Sequence, residues 1–206
     1  SLDDGASFDQ PLEVFPPGAT IGSTGAALGV VDSRVVDTAS RLLVTLASGS
    51  LESVSRALMF AGANHFAYGE DGRWEVIAAA NCTLISGSDY SLTDLLRGVA
   101  GTEWAMGLHV AGDRLIALDT DSLESLPIEI AALDQERLYR AVTFGLEVSS
   151  GLLRTQTWRA VQFKPLAPCL LTGERDAASG DWLLYWVRRT RLGSAWRDQV
   201  DADLGE

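Results

Sequence analysis

Two histidines, His65 and His109, limit the acid–base chemistry open to this chain. His109 lies in GLHVAGD, Asp113 and Asp119 follow it closely, and serines are plentiful, so these residue types could supply a Ser–His–Asp arrangement. The sequence contains no G-x-S-x-G elbow, however, so nothing singles out a nucleophile. We therefore predict no catalytic residues and no enzyme activity. We expect His109 to be a strand residue that is partly buried or lies at an interface.

Metal ligands and cofactor-binding motifs are also missing from the sequence. Cys82 and Cys169 lie in the apolar contexts NCTLI and APCLL without zinc-ligand spacing, which predicts inert buried thiols. The acidic segment DTDSLE, residues 119–124, lacks the glycine and one early ligand of a calcium loop and is predicted to be a solvated turn. Residues 18–25, GATIGSTG, match neither the P-loop nor the dinucleotide fingerprint. The prediction is a protein with no metal site and no cofactor.

The stretch LLRGVAGTEWAM, residues 95–106, could either cradle a phosphate or connect two core segments. It offers no histidine, cysteine or lysine for chemistry, and its two glycines permit a tight turn. We predict a turn that leads into a strand at Trp104, with an ion pair between Arg97 and Glu103 across it. The residues of this predicted structural motif are Arg97, Gly98, Gly101, Thr102 and Glu103.

Charge and composition argue against several classes of function. The formal net charge of −12 is unfavourable for binding nucleic acid, because phosphate binding depends on clustered cations. The apolar runs fall far short of the roughly 18–20 residues that a membrane span needs, and the acidic start SLDDGASFDQ is not a signal peptide. A hydrophobic content of 47% is ample for a buried core. The start at Ser1 and the end at DADLGE lead us to expect a fragment of a longer protein.

The hydrophobic pattern predicts a mainly β domain, with a minor α component, over residues 1–160. Glycines and prolines in residues 1–40 predict an extended arm or irregular strands. One short helix of about two to three turns is predicted in the stretch that begins at Leu51, capped by Ser50 or Ser53 and ended by Gly62. Strands are predicted at 41–47, 128–133 and 136–148, an edge strand or loop at 149–157, and hairpins at 74–96 and 102–119.

A change of pattern around residues 158–166 predicts a domain boundary, with a second segment over 161–206. In this segment two prolines, a strand, a Gly/Ser turn and the strand DWLLYWVRR follow one another, and Trp182, Leu184 and Trp186 alternate onto one face. The pattern is typical of the first strands of a fibronectin III-like or immunoglobulin-like sandwich. We predict a partial fibronectin III-like segment.

Arginines and tryptophans are interleaved near the end of the sequence. Stacked guanidinium and indole groups would form a structural ladder that offers an exposed surface to a partner. The same groups could also stack a sugar or an anion. The candidate interface residues are Trp182, Trp186, Arg188, Arg189, Arg191 and Trp196.

Several separated phrases, taken in order, resemble one protein family. They are ASGSLESVS with AGANHFAYG, WEVIAAANCTLI, YSLTDLLRGVAGTEWAM, HVAGDRLIALD and SGDWLLYWVRRTRLGSAWRDQVDADLGE, which span roughly residues 40–206. The set is similar to the phage tail-tip protein of siphophage-like prophages and gene transfer agents, also called the host-specificity or baseplate hub protein. LLRGVAGTE, and WVRRTR followed by a tryptophan and LGE, carry the resemblance most specifically. The chain departs from the family at Ala78–Ala80, where bulkier residues are usual.

The resemblance implies a virion structural protein at the tail tip, made in the bacterial cytoplasm and assembled as a homotrimeric hub with other tail-tip proteins. It also implies β-rich and fibronectin-like domains and contact with a host-envelope glycan. Some family members carry a cell-wall hydrolase-like barrel before the matched region, but its motifs do not occur here. The alternative is a carbohydrate-binding or cell-wall glycan-degrading module, which the acidic composition and six tryptophans favour, although tryptophan also serves cores and interfaces.

Overall fold

The computed structural model describes residues 18–70, 72–119, 121–123, 128–143, 145–161 and 168–187. The chain forms two compact units, Ser1–Ala160 and Val161–Glu206. Strands dominate the described residues, which otherwise contain short helical segments. The predicted mainly β class with a minor α component is therefore confirmed.

Six antiparallel strands of the first unit close into a barrel. They are β1 (Ile21–Thr24), β2 (Leu42–Ser48), β3 (His65–Gly69), β4 (Glu75–Ser86), β5 (Asp89–Val99) and β6 (Arg114–Ala117). Their order around the barrel is β1–β2–β5–β4–β3–β6, and β6 pairs with β1 to complete the ring. For residues 1–40 the sequence left an extended arm or irregular strands open, and at Ile21–Thr24 the chain forms a strand whose backbone closes the barrel.

Alternating side chains fill the interior of the barrel. In β2, Leu42, Val44 and Leu46 are buried and the residues between them are exposed, which is the period-two pattern of a strand with one face on the core. The strand predicted at 41–47 is confirmed by β2. The other buried members of the interior cluster are Leu28, Phe66, Tyr68, Ile77, Ala79, Cys82, Tyr90, Leu92, Leu95 and Leu115.

A short helix, α1 (Arg56–Phe60), covers the outer face of β4. Its Met59 is buried against Ala78 and Ala80, whereas Ala79 packs with the interior cluster. β4 is therefore buried on both faces at this point. Small side chains at Ala78 and Ala80 let the helix approach the strand closely, which accounts for two of the three consecutive alanines.

The start of α1 differs from the prediction. Its N-cap is Ser55, whose hydroxyl accepts a hydrogen bond from a backbone N–H of the first turn. Neither Ser50 nor Ser53 caps the helix, and the Ser53 hydroxyl instead accepts a hydrogen bond from the backbone N–H of Cys82 on β4. Ser53, which the sequence offered as a cap, therefore bonds to β4 instead. The helix begins later and is shorter than predicted.

Of the two predicted hairpins, only the first forms. β4 and β5 pair across a turn at Gly87 and Ser88, which confirms the hairpin at 74–96. The hairpin at 102–119 is wrong, because β6 pairs with β1 and β3 and both of its edges are occupied. The strand predicted at Trp104 is wrong as well, since Glu103–Ala105 forms a 3₁₀ turn.

After the barrel strands the chain forms a two-stranded hairpin, β7 (Glu136–Ala141) and β8 (Leu152–Thr157). β7 confirms the first part of the strand predicted at 136–148, and β8 confirms the edge-strand alternative for 149–157. The strand predicted at 128–133 is wrong, because Ile130–Ala132 is a 3₁₀ turn that buries Ala132.

The second unit contributes an antiparallel hairpin of β9 (Cys169–Arg175) and β10 (Trp182–Val187). The predicted order of strand, Gly/Ser turn and strand is confirmed. All six side chains of β10 are exposed, including the candidate interface residues Trp182 and Trp186. The other candidate interface residues, Arg188, Arg189, Arg191 and Trp196, lie outside the described residues.

Candidate functional site

Chemically competent side chains converge at one end of the barrel. This end is defined by the start of β4, the ends of β3 and β5, and the start of β6, which lie side by side in the antiparallel ladders. The five charged or titratable side chains that meet there are named the end cluster: Arg73, Glu75, Arg97, His109 and Asp113.

Glu75, the first residue of β4, is the centre of the end cluster. Its carboxylate accepts hydrogen bonds from Nε and Nη2 of Arg97, each at 2.8 Å, from the backbone N–H of Gly98 at 2.8 Å, and from Nε2 of His109 at 2.8 Å. The Glu75 and Arg97 side chains are both 0% exposed. Burial on its own raises the pKa of Glu75, but the hydrogen bonds from His109 and Arg97 outweigh it and lower the pKa below its usual value. The carboxylate is therefore ionised at neutral pH.

Arg97 links two strands to a connecting segment. Besides its bidentate bond to Glu75, its Nη1 donates to the carbonyl oxygen of Gly29 at 3.2 Å, in the connection between β1 and β2. The predicted ion pair between Arg97 and Glu103 is therefore wrong. Sequence proximity favoured Glu103, but the pairing of β4 with β5 brings Glu75 to Arg97, and all three guanidinium nitrogens are used without Glu103.

Asp113 holds the other half of the end cluster. Arg73 donates to both of its carboxylate oxygens, and the backbone N–H of Val110 donates to Oδ2 at 3.0 Å. Arg73 also donates to the carbonyl oxygen of Leu108 at 3.2 Å. Burial raises the pKa of Asp113, but the hydrogen bonds from Arg73 and Val110 outweigh it and lower the pKa below its usual value. Together these bonds fix the loop that precedes β6.

His109 lies between the two ion pairs. Its Nε2 is 2.8 Å from Oε2 of Glu75, and its Nδ1 is 3.4 Å from Oδ2 of Asp113. The imidazole stacks on the ring of Tyr68, with the centroids 3.8 Å apart, and the Tyr68 hydroxyl accepts a hydrogen bond from the backbone N–H of Leu28. His109 was predicted to be a strand residue, either partly buried or at an interface. It is buried, but it lies in a loop and not in a strand.

The remaining residues of the motif around Arg97 support this arrangement. Gly98 has a φ of +63°, and a Cβ there would lie 2.7 Å from Cγ of Glu103, so glycine allows the 3₁₀ turn to pack against β5. Gly101 has a φ of +85° in the turn that follows β5. Thr102 accepts a hydrogen bond from the backbone N–H of Val76 at 2.8 Å, which ties this turn to β4. The motif therefore positions the Glu75–Arg97 pair.

The end cluster contains groups that could perform acid–base chemistry, but each is bonded to other parts of the protein. Glu75 and Asp113 accept hydrogen bonds from within the fold, and the side chains of Glu75, Arg97 and His109 are 0% exposed. Catalytic groups must reach a substrate atom within hydrogen-bond distance, and burial prevents this here. The arrangement can fasten the β1–β2 connection, the turn before β4 and the loop before β6 to the end of the barrel.

Other sequence-predicted positions lie away from the end cluster. Cys82 is buried, and burial raises the pKa of its thiol to about 12, so the prediction of an inert thiol is confirmed for this residue. The side chain of Cys169 lies outside what the structure describes. Asp119, Asp121 and Ser122 form part of the predicted acidic turn, with the backbone N–H of Ser122 bonded to the carbonyl oxygen of Asp119.

Metal-binding clusters and membrane-spanning helices are both absent from the described ranges. No group of three or more His, Cys, Asp or Glu side chains within them is placed to hold a metal ion. No helix within them is both long enough and apolar enough to cross a membrane.

A protein-family model matches part of the chain. Residues 19–116, just under half of the chain, are similar to the family model described as Rcc01698-like, C-terminal. The match extends from the residues before β1 into β6 and includes all five members of the end cluster. No curated protein matches the chain.

Sequence reasoning noted Asp113 beside His109 but missed the roles of Arg73 and Glu75, which pair with Asp113 and Arg97. The partners are 40 and 22 residues apart, and a charge in a strand pattern does not reveal its partner before the strand order is known. One signal was present: Glu75 stands at the start of the apolar run 76–80, where a charge is unexpected unless the residue is paired.

Proposed function

We propose that this chain is a structural module of a phage or gene-transfer-agent tail tip of the baseplate hub type. The observation that carries the proposal is the ordered set of phrases over residues 40–206, with LLRGVAGTE as its most specific part. In this phrase Arg97 and Gly98 serve the packing of the barrel end, and Gly101 allows the turn that follows β5. The residues of LLRGVAGTE that carry the resemblance thus stabilise the fold, which is consistent with a protein that functions by assembly.

The state of the end cluster also supports an assembly function over catalysis. Its carboxylates are ionised and bonded to guanidinium groups, and its side chains are mostly buried. A group held in this way stabilises one conformation of the surrounding loops. We propose that other tail-tip proteins bind a rigid barrel surface, in a homotrimeric hub at the virion tail tip.

The second unit is proposed to belong to a fibronectin III-like sandwich. β10 reads WLLYWV, so apolar side chains project from both of its faces, and each of them is about half exposed or more. An isolated two-stranded hairpin is only marginally stable in water, whereas strands with apolar residues on both faces belong inside layered sheets. The pattern supports a larger β domain of which this hairpin is one part.

Imaging and genetics of the particles test the proposed function. Antibody raised against this chain should label the tail tip in negative-stain images of particles from a strain that encodes it. Deletion of the gene should leave tails that lack a tip or fail to assemble, and a wild-type copy supplied on a plasmid should restore them. Normal, infective tails in the deletion strain would exclude this function.

One observation favours a second candidate, a glycan-binding module. Trp182 is 66% exposed and lies, with Leu184, beside Gly173 on the neighbouring strand. An exposed indole on a sheet is a surface on which a sugar ring can stack. If this candidate holds, the chain should bind peptidoglycan fragments in calorimetry, and Trp182→Ala should abolish binding while Leu183→Ala, on the opposite face of β10, should not. Absence of binding by the wild-type chain excludes it.

A further inference from the structure

His109 is placed between two carboxylates but is bonded to only one of them. Its Nε2 lies 2.8 Å from Glu75, whereas its Nδ1 lies 3.4 Å from Asp113, at the long limit of a hydrogen bond. Nδ1 is buried and has no hydrogen-bond partner among the described residues. A neutral imidazole carries one N–H and an imidazolium carries two. A neutral His109 can therefore donate to only one of the two carboxylates that face it.

Three groups face the His109 ring, and two charged groups lie behind them. Glu75 on β4 faces Nε2, Asp113 in the loop before β6 faces Nδ1, and Tyr68 on β3 lies against the ring. Behind the carboxylates are Arg97 on β5 and Arg73 in the turn before β4. The two guanidinium and two carboxylate charges balance one another. Hydrogen bonds from the fold lower the pKa values of Glu75 and Asp113 despite their burial, so both carboxylates are ionised near neutral pH and can accept a hydrogen bond.

We propose that His109 is a proton-operated tie at the end of the barrel. When the ring takes up a proton from solvent at Nδ1, the new N–H bonds to Asp113 and joins the two ion pairs into one continuous chain from Arg73 to Arg97. No other group changes its protonation in this step. The bond from His109 to Glu75 already fastens the loop 107–113 to β4, and the new bond braces the loop internally by joining residues four positions apart. This brace is complete in mild acid and incomplete at alkaline pH.

The loop that the tie holds also carries exposed apolar side chains. Leu108 and Val110 flank His109 in the sequence and are 49% and 53% exposed. A Cβ at Gly107 would lie 2.7 Å from Cγ2 of Val30, so this loop packs beside the β1–β2 connection that Arg97 binds. Protonation of His109 therefore controls how rigidly one apolar part of the barrel surface is presented.

Two measurements on the full chain test the tie. Nitrogen-15 NMR of the histidine side chains should show Nδ1 of His109 gaining a proton as the pH falls from about 8 to about 5.5, within the range in which histidines titrate. Over the same interval, amide-exchange protection of residues 108–113, corrected for intrinsic exchange, should rise about three- to tenfold, the worth of roughly one hydrogen bond. Protection of β2 should not change.

A matched pair of variants separates the tie from a general effect of pH. In His109→Gln the side-chain amide can still donate to Glu75 but cannot gain a second proton, so protection of the loop should no longer depend on pH. His65→Gln is the control. In the wild-type chain Nδ1 of His65 lies 3.1 Å from the carbonyl oxygen of Ala63, and His65 is far in sequence from the loop. In this variant the pH dependence of loop protection should persist.

Two results would overturn the inference. One is a His109→Gln chain that keeps the wild-type pH dependence. The other is a wild-type chain in which Nδ1 of His109 stays unprotonated at about pH 5.5, or in which loop protection does not change with pH. The wild-type measurements test the inference even if the His109→Gln variant does not fold. Since the measurements use the isolated chain, they are independent of whether it belongs to a tail tip.

Discussion

At the scale of single residues, Glu75 and Arg97 show how a charge is accommodated inside the barrel. Moving a carboxylate or a guanidinium out of water costs several kcal/mol per ion. The cost is offset here because Glu75 accepts hydrogen bonds from Arg97, Gly98 and His109, and Arg97 also reaches the carbonyl oxygen of Gly29. Removal of either partner leaves the other charged, buried and without compensation.

Arg97→Met should therefore be among the more damaging substitutions in the barrel. We expect the free energy of unfolding to fall by about 3–5 kcal/mol, the usual result of breaking one side of a buried ion pair. Urea denaturation followed by tryptophan fluorescence measures this. In the control Arg56→Met, the pair with Asp94 is exposed at the arginine, so the loss should be less than about 1 kcal/mol. Equal losses in the two variants would contradict a special role for the buried pair.

Sequence reasoning identified Arg97 as structural but assigned it the wrong partner. Glu103 was favoured because it is six positions away in the same phrase, whereas Glu75 becomes a neighbour only through the β4–β5 ladder. The buried thiol of Cys82 was predictable from its apolar neighbours alone. Properties that depend on local context could be predicted, and cross-strand charge pairs could not.

At the scale of elements, Gly98 lies near the end of β5, where the following 3₁₀ turn packs against the strand. Its φ of +63° is unfavourable for other residues, and a Cβ would lie 2.7 Å from side-chain atoms of both Glu103 and Met106. Gly98→Ala should therefore combine backbone strain with overpacking, at a cost of about 2–4 kcal/mol in the free energy of unfolding. Chemical denaturation of the purified variant measures the loss.

Gly87→Ala is the matched control for this prediction. Gly87, in the β4–β5 turn, has a φ of +54°, but a Cβ there would meet no atom within 4 Å, so only backbone strain of about 1–2 kcal/mol is expected. If the two alanine variants lost the same stability, the close packing of the 3₁₀ turn on β5 would not contribute.

The elements themselves were predictable where partners are close in sequence. The β4–β5 hairpin has turn residues between two apolar runs, and it forms as predicted. β6 was assigned to a local hairpin, yet it pairs with β1, about ninety residues earlier, and with β3. A short strand such as RLIA has no signal for its partner, because barrel closure is decided by all six strands together.

At the scale of the whole molecule, barrel closure brings the end cluster together and makes its stability depend on pH. The pKa values of Glu75 and Asp113 are lower in the folded chain than their usual values, because hydrogen bonds from His109, Arg97 and Arg73 outweigh burial. The unfolded chain therefore takes up protons first as the pH falls. The stabilisation is complete above the usual carboxyl pKa values of about 4 and is lost as the pH falls through the lower folded values.

Asp113→Asn tests this linkage, because it removes one of the two carboxylates while keeping the side-chain shape. The variant should be less stable than the wild-type chain at pH 7, and its free energy of unfolding should fall less steeply between about pH 5 and pH 3, since one linked proton is missing. Urea denaturation at a series of pH values, in about 0.3 M salt to screen the exposed charges that contribute to the net charge of −12, provides both quantities. A variant with the wild-type slope in acid would show that Asp113 is not one of the groups that protonate on unfolding, and the acid sensitivity of the barrel would then have to come from other carboxylates.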